Sequence, residues 1–170
     1  MTAHLSTPTT GRTADERPRP PALALPLLGA AATLIFGRNP RLQAFVTVAT
    51  LATVSVIAAV LLVVVDAGEP LAVSVGGWPV PFGIVLYVDR LAALLVLISS
   101  IVLLAVLLFS IGQGAADGTD ETPISIFNPS YLILAAGIFN AFIAGDLFNL
   151  YVGFETVSYT HLTLPTNREV

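Results

Sequence analysis

Four residues of this chain have types and spacings that could do chemistry inside a membrane: Glu155, Asp146, Asn149 and Asn140. Glu155 is the sharpest of them. It closes Asp146-Leu-Phe-Asn-Leu-Tyr-Val-Gly-Phe-Glu155, which otherwise reads as the start of a membrane-spanning helix. A charge at the bilayer centre costs roughly 2.5–3.5 kcal/mol on insertion scales. The other long apolar runs carry no charge, so a carboxylate here points to the handling of protons or cations. At about 1.5 Å per residue, a helix opened by Asp146 has risen about 13 Å at Glu155. That is close to the midplane of a hydrocarbon core about 30 Å thick.

Helical spacing puts Phe148, Tyr151 or Val152, and Glu155 on one face, and Asp146, Asn149 and Gly153 on a second stripe turned away from it. Asp146 is a good N-cap residue whose charge suits a helix N-terminus; its alternative role is to line an ion entrance. Asn149 can bond locally or to a neighbouring helix, and helix packing is the favoured reading. Asn140 falls in the middle of an apolar segment and must find a hydrogen-bond partner there. An interhelical bond is favoured over direct ion handling. No pair of His, Asp or Glu has metal-ligand spacing on a credible helix, and there is no phosphate-cradling glycine loop. The sequence therefore offers no catalytic constellation, no metal site and no cofactor site, and points to a transporter, not an enzyme.

Composition says what surrounds these residues. Of 170 residues, 55% are hydrophobic and 11% charged, against about 25% charged in soluble domains. Mean hydropathy is +0.87. So few charges cannot cover a water-facing surface, and a multispan membrane protein is expected. Lysine is absent, and the arginines all lie outside the long apolar runs. The net charge of −4 is dispersed with no basic patch, which excludes nucleic-acid binding. The lack of cysteine excludes disulfides, thiolate metal sites and cysteine nucleophiles.

The elements follow from the apolar runs. Residues 1–21 are polar, rich in Thr, Pro and Arg, and are expected to be a disordered tail. Spans are expected at about 22–37, 42–65, 91–111 and 127–145, with the start of a fifth at 146–155. Between the second and third, Leu71-Ala-Val-Ser-Val alternates, Gly76-Gly77 can turn the chain, and Phe82 to Asp89 reads as extended again. A short extramembrane β-hairpin is the expected reading, with an irregular loop as its alternative, and Trp78 and Tyr87 are expected near the membrane interface, where such rings are enriched. The fold expected is an all-α polytopic membrane protein: four transmembrane helices, the start of a fifth, and this hairpin. Charge does not orient it. Arg38 and Arg41 argue for a cytoplasmic first turn, whereas Arg12, Arg17 and Arg19 argue for a cytoplasmic tail.

After Glu155 the character changes, with Pro165, Asn167, Arg168 and Glu169 soon following. The string Val157-Ser-Tyr-Thr-His-Leu-Thr-Leu-Pro-Thr-Asn-Arg-Glu-Val170 resembles a translated adapter sequence from a fragmentary assembly. Residues 156–170 are accordingly expected to be a non-native tail that interrupts the fifth span, and His161, Arg168 and Glu169 receive no role.

The run Phe127-Asn-Pro-Ser-Tyr-Leu-Ile-Leu-Ala-Ala-Gly-Ile-Phe-Asn-Ala-Phe-Ile-Ala-Gly-Asp-Leu-Phe-Asn-Leu-Tyr-Val-Gly-Phe-Glu155 resembles the D-type subunit of the Mrp multisubunit sodium/proton antiporters. That family also supplies the antiporter-like proton-pumping subunits of complex I. Gly145 to Glu155 is the most specific piece, and the likeness covers about Ala22 to Glu155, the amino-terminal part of a much longer protein. The resemblance implies that Glu155 works with a lysine on a later helix in proton translocation; this chain has no lysine to match it. Burial favours a neutral carboxyl and a nearby cation favours the charged one, so a lysine that approaches and withdraws would switch the glutamate between its two states. The resemblance further implies an amino terminus outside, a cytoplasmic Arg38/Arg41 turn, a multi-pass place in the bacterial inner membrane, and partners that are other antiporter subunits, the lipid bilayer, protons and sodium ions. The arginine-bearing tail departs from that topology. Two rivals stand beside this reading: a proton-translocating subunit of complex I or of a membrane-bound hydrogenase, and a structural membrane subunit without an ion path.

Overall fold

The computed structural model describes residues 21–35, 39–75, 83–113 and 126–163. Its helices are α1 (Pro21–Ile35), α2 (Pro40–Ala67), α3 (Arg90–Gly112), α4 (Phe127–Ile143) and α5 (Leu147–Thr163); its strands are β1 (Leu71–Ser74) and β2 (Val85–Val88).

Each helix starts where local chemistry lets it. Pro40 stands in the first turn of α2 behind Asn39, where the missing N–H would have had no intrahelical partner. Asp89 caps α3 by accepting the Ala92 N–H at 2.7 Å. Pro129 falls in the first turn of α4, again among the N–H groups that lack intrahelical acceptors. The hydroxyls inside α2 are disposed of locally. Thr47, Thr50, Thr53 and Ser55 each donate to the carbonyl four residues back, so a polar side chain in a membrane-length helix needs no outside partner.

Among the described residues, two helices are long and apolar enough to cross a membrane, Arg41–Ala67 and Arg90–Gly112; α1 and α4 contribute shorter apolar stretches, Ala24–Ile35 and Phe127–Ile143. The two long helices are not buried core helices. Val56, Val60 and Val63 on α2, and Ile98, Val102 and Phe109 on α3, all stand exposed, an apolar surface far larger than a soluble monomer leaves to water.

The helices pack around α1, α2 and α4, with Ala30, Leu51, Val54, Ala58, Leu132, Ala135 and Phe139 buried between them. Next to α2 lies α3, and α4 carries α5. At the end marked by the α1–α2 turn, a buried amide chain joins three helices. Gln43 Nε2 donates to the Thr33 carbonyl at 3.0 Å, and Asn128 Nδ2 donates to Gln43 Oε1 at 3.5 Å. At the opposite end the strands form an antiparallel pair with Leu71 opposite Val88 and Ser74 opposite Val85. Leu86 and Val88 are buried and Tyr87 is exposed, so one face of the hairpin lies on the helix ends. An exposed ion pair closes this end, Arg90 Nε to Asp66 Oδ1 at 3.2 Å, with Arg90 Nη2 donating to the Asp66 carbonyl at 3.0 Å.

The expected elements therefore form, with shifted ends: α2 and α3 run slightly past both expected limits, and α4 stops at Ile143. The fifth helix departs further. It starts at Leu147 and continues beyond Glu155 to Thr163, because the Thr- and Ser-bearing stretch after Glu155 contains no proline before Pro165. Residues 1–20, the hairpin tip with Trp78, and the connection at 114–125 lie outside the described residues.

Candidate functional site

The chemistry-bearing residues gather where α4 hands over to α5. Ile143 ends α4, Ala144 turns extended, and Asp146 opens α5 by accepting the Asn149 N–H on Oδ1 at 2.7 Å. This is the expected cap. Its other oxygen has a second task. Oδ2 accepts the N–H of Val85 in β2 at 3.0 Å. These two backbone donors, Asn149 first and Val85 second, hold the Asp146 carboxyl below the ordinary carboxylate range.

Val85 answers with its carbonyl, which accepts the Gly145 N–H at 2.8 Å, and Leu86 bridges Ala144 in antiparallel sense. Ala144 to Asp146 thus lie along the outer edge of β2, joined to it by a single bridge, and satisfy backbone groups that an edge would otherwise leave open. Gly145 has to be glycine for space: a Cβ there would sit 2.9 Å from the Val85 carbonyl oxygen and 3.1 Å from the Tyr87 Cβ.

One turn into α5, Asn149 is buried and meets Asn140 of α4. Asn140 Nδ2 donates to Asn149 Oδ1 at 3.0 Å and to the Asn149 carbonyl at 3.2 Å. The interhelical partner that Asn140 needs is therefore Asn149. Gly153 follows on the same stripe, so close to α4 that a Cβ would stand 3.1 Å from the Ala141 nitrogen. The stripe Asp146–Asn149–Gly153 is what α5 packs with, and its polar members cap and pack.

Glu155 lies elsewhere on the helix. It is half-buried, and the residues sharing its face, Phe148 and Tyr151, are 69% and 61% exposed. Among the described residues, no group of three or more His, Asp or Glu could hold a metal ion. The structure brings Asp146, Asn149 and Asn140 together and leaves Glu155 out of their network.

Sequence reasoning missed two things. Gln43 and Asn128 are fully buried and link three helices, and the available signal was only that each is an amide at the edge of an apolar run. The Val85 contact of Asp146 had no local signal, since the two residues are separated by 61 positions. Two buried polar atoms, Asn128 Oδ1 and Asn149 Nδ2, have no hydrogen-bond partner among the described residues.

No protein-family model matches the chain. A protein of Staphylococcus saprophyticus described as an antiporter subunit, mnhD2, is 32% identical over 145 residues, 85% of this chain and 28% of the relative. Its Staphylococcus aureus counterpart is 29% identical over the same shares of the two chains. Among solved structures, a chain of the Mrp complex from Dietzia sp. DQ12-45-1b superposes with a TM-score of 0.76 at 26% identity, covering 83% of this chain and 25% of that one. A chain of the archaeal membrane-bound sulfane sulfur reductase, a respiratory membrane complex, gives 0.75 at 26% identity, covering 88% and 30%. The chain is thus a membrane protein similar along most of its length to these antiporter subunits and membrane-complex chains, and it spans under a third of the length of the curated relatives it matches.

Proposed function

We propose, from a chain related over 145 residues to Mrp-type antiporter subunits, that it is the amino-terminal part of a D-type subunit in a multisubunit cation/proton antiporter of the bacterial inner membrane. Four spans and the start of a fifth cross the bilayer, and Glu155 carries the proton. Sodium is the cation proposed, and the partners are the other antiporter subunits, with which it assembles in the bilayer.

One observation carries the site assignment: α5 is fastened to α4 and to the hairpin by its Asp146–Asn149–Gly153 stripe, while Glu155 shares the exposed face of Phe148 and Tyr151. A carboxylate that served only to pack these described helices would belong to the fastened stripe. On the other face it is placed to meet polar groups of later helices, and intramembrane carboxylates so placed mark ion and proton paths. Residues 156–170 are proposed to be foreign to the subunit, so the partner cation belongs to sequence beyond this chain.

The test uses the full-length subunit in its assembled complex, in vesicles that report antiport as sodium-driven collapse of a pH gradient. Glu155→Gln is expected to abolish exchange with the complex intact. Unchanged exchange would overturn the assignment, and loss of assembly would favour the purely structural subunit. The likeness to a respiratory membrane complex supports one second reading, a redox-linked proton pump. Genes for quinone- or hydrogen-handling subunits beside this one would select it.

A further inference from the structure

We infer that Asp146 is a positioning residue for Glu155, tying the start of α5 to the outer edge of the extramembrane hairpin; the inference rests on the proton-carrying reading of Glu155.

A cap needs one oxygen, and serine supplies one as well as aspartate does. Asp146 spends its second oxygen on Val85, from an element 61 positions earlier in the chain. The same strand residue is gripped again by Gly145 through its carbonyl, and Leu86 is bridged to Ala144. Three successive residues, Ala144 to Asp146, therefore fix both the height and the rotation of α5 where it begins. The carboxylate strengthens the hold, because a charged acceptor makes a hydrogen bond roughly twice as strong as a neutral one. Other charged groups at this end are otherwise engaged: Asp89 caps α3 and Asp66 pairs with Arg90, while Glu69 stands exposed.

From this anchor the helix runs about 13 Å to Glu155. A helix transmits tilt and rotation along its axis, so loosening the anchor reorients the glutamate relative to whatever it faces. The hairpin, outside the membrane, then sets the environment of a group inside it.

Three variants of the full-length subunit in its complex separate capping from positioning. Asp146→Ser keeps the cap and is too short to reach Val85 as well. Asp146→Asn keeps one acceptor oxygen and turns an amide donor towards the second N–H. Gly145→Ala leaves Asp146 intact and drives a methyl against the Val85 carbonyl. All three are expected to assemble, to retain antiport, and to move the pH of half-maximal antiport in the same direction by about half a unit. Amide exchange at Val85 and in the first turn of α5 should quicken together. Wild-type pH dependence in assembled variants would overturn the inference, as would faster exchange confined to α5, which is the mark of a lost cap alone. Loss of assembly in all three would make the contact purely structural and overturn it too. If Glu155→Gln keeps its antiport, the proton-carrying reading fails first; if that variant is dead while the three pH profiles stay unmoved, only the positioning role fails.

Discussion

Asn140 and Asn149 face each other across the α4–α5 contact, where the Asn140 amide donates at once to the Asn149 side-chain oxygen at 3.0 Å and to its carbonyl at 3.2 Å. The bond explains how the Asn140 amide sits in an apolar bundle: α5 supplies the acceptors that its N–H groups must not be left without. Replacing both by alanine, singly and together, should reveal a coupling of about 0.6 kcal/mol and no more than about 1.7 kcal/mol, the range for polar pairs between membrane helices. Reversible unfolding in detergent or bicelles measures it, and additive effects would show that the pair contributes nothing.

Gly153 lets the two helices come this close. Gly153→Val should cost about 1–3 kcal/mol by overpacking, because the neighbour in its way is the Ala141 backbone and cannot rotate aside. Thermal denaturation of the purified subunit would register the loss, and a neutral result would mean that the helices part without penalty.

Gln43 is the middle of the buried chain joining α1, α2 and α4. Gln43→Leu removes a donor and an acceptor and leaves the Thr33 carbonyl and the Asn128 amide without them. Each such loss costs about 1–3 kcal/mol. Stability should fall while the pH dependence of antiport stays as it was, since this chain lies at the opposite end of the helices from Asp146.

Asp146 has its carboxyl depressed by backbone donors, Asn149 first and Val85 second. A depressed carboxyl stabilises the fold above its unfolded value and loses that contribution as pH falls through the folded value. The anchor should therefore be intact from mildly acidic to alkaline pH and weaken only below the ordinary carboxylate range. Amide exchange at Val85, followed against pH after correction for intrinsic rates, should show protection constant above about pH 4. Protection lost at near-neutral pH would contradict the depressed carboxyl.

Arg90 and Asp66 form an exposed pair. Arg90→Ala should change stability by less than about 1 kcal/mol, with the difference shrinking as salt is added. A larger, salt-independent loss would mean that the Arg90 bond to the Asp66 carbonyl matters more than the charge.

Much of this was legible from local patterns. The apolar runs located α1 to α4, the alternation from Leu71 and the extended reading of Phe82 to Asp89 located the strands, and Asp146 was recognisable as a cap because capping is a matter of three neighbouring residues. Asn140 was recognisable as a residue in need of a partner, though the sequence did not say which one. At the far end of α5 composition argued for a change of character after Glu155, and the backbone nevertheless continues helical to Thr163. Local polarity opposes membrane residence and still permits a helix, since Thr and Ser cost only a few tenths of a kcal/mol in helix propensity.

The sequence by itself determined that this is a mostly helical membrane protein whose long apolar runs become α2 and α3, because hydropathy and helical period depend on nearby residues alone. Only the tertiary structure decided that Val85 holds Asp146, that Asn149 satisfies Asn140, and that Glu155 stands apart from both. These pairings join residues up to 61 positions apart, and where water cannot satisfy a polar group its partner is chosen by which helix faces and strand edges are brought together.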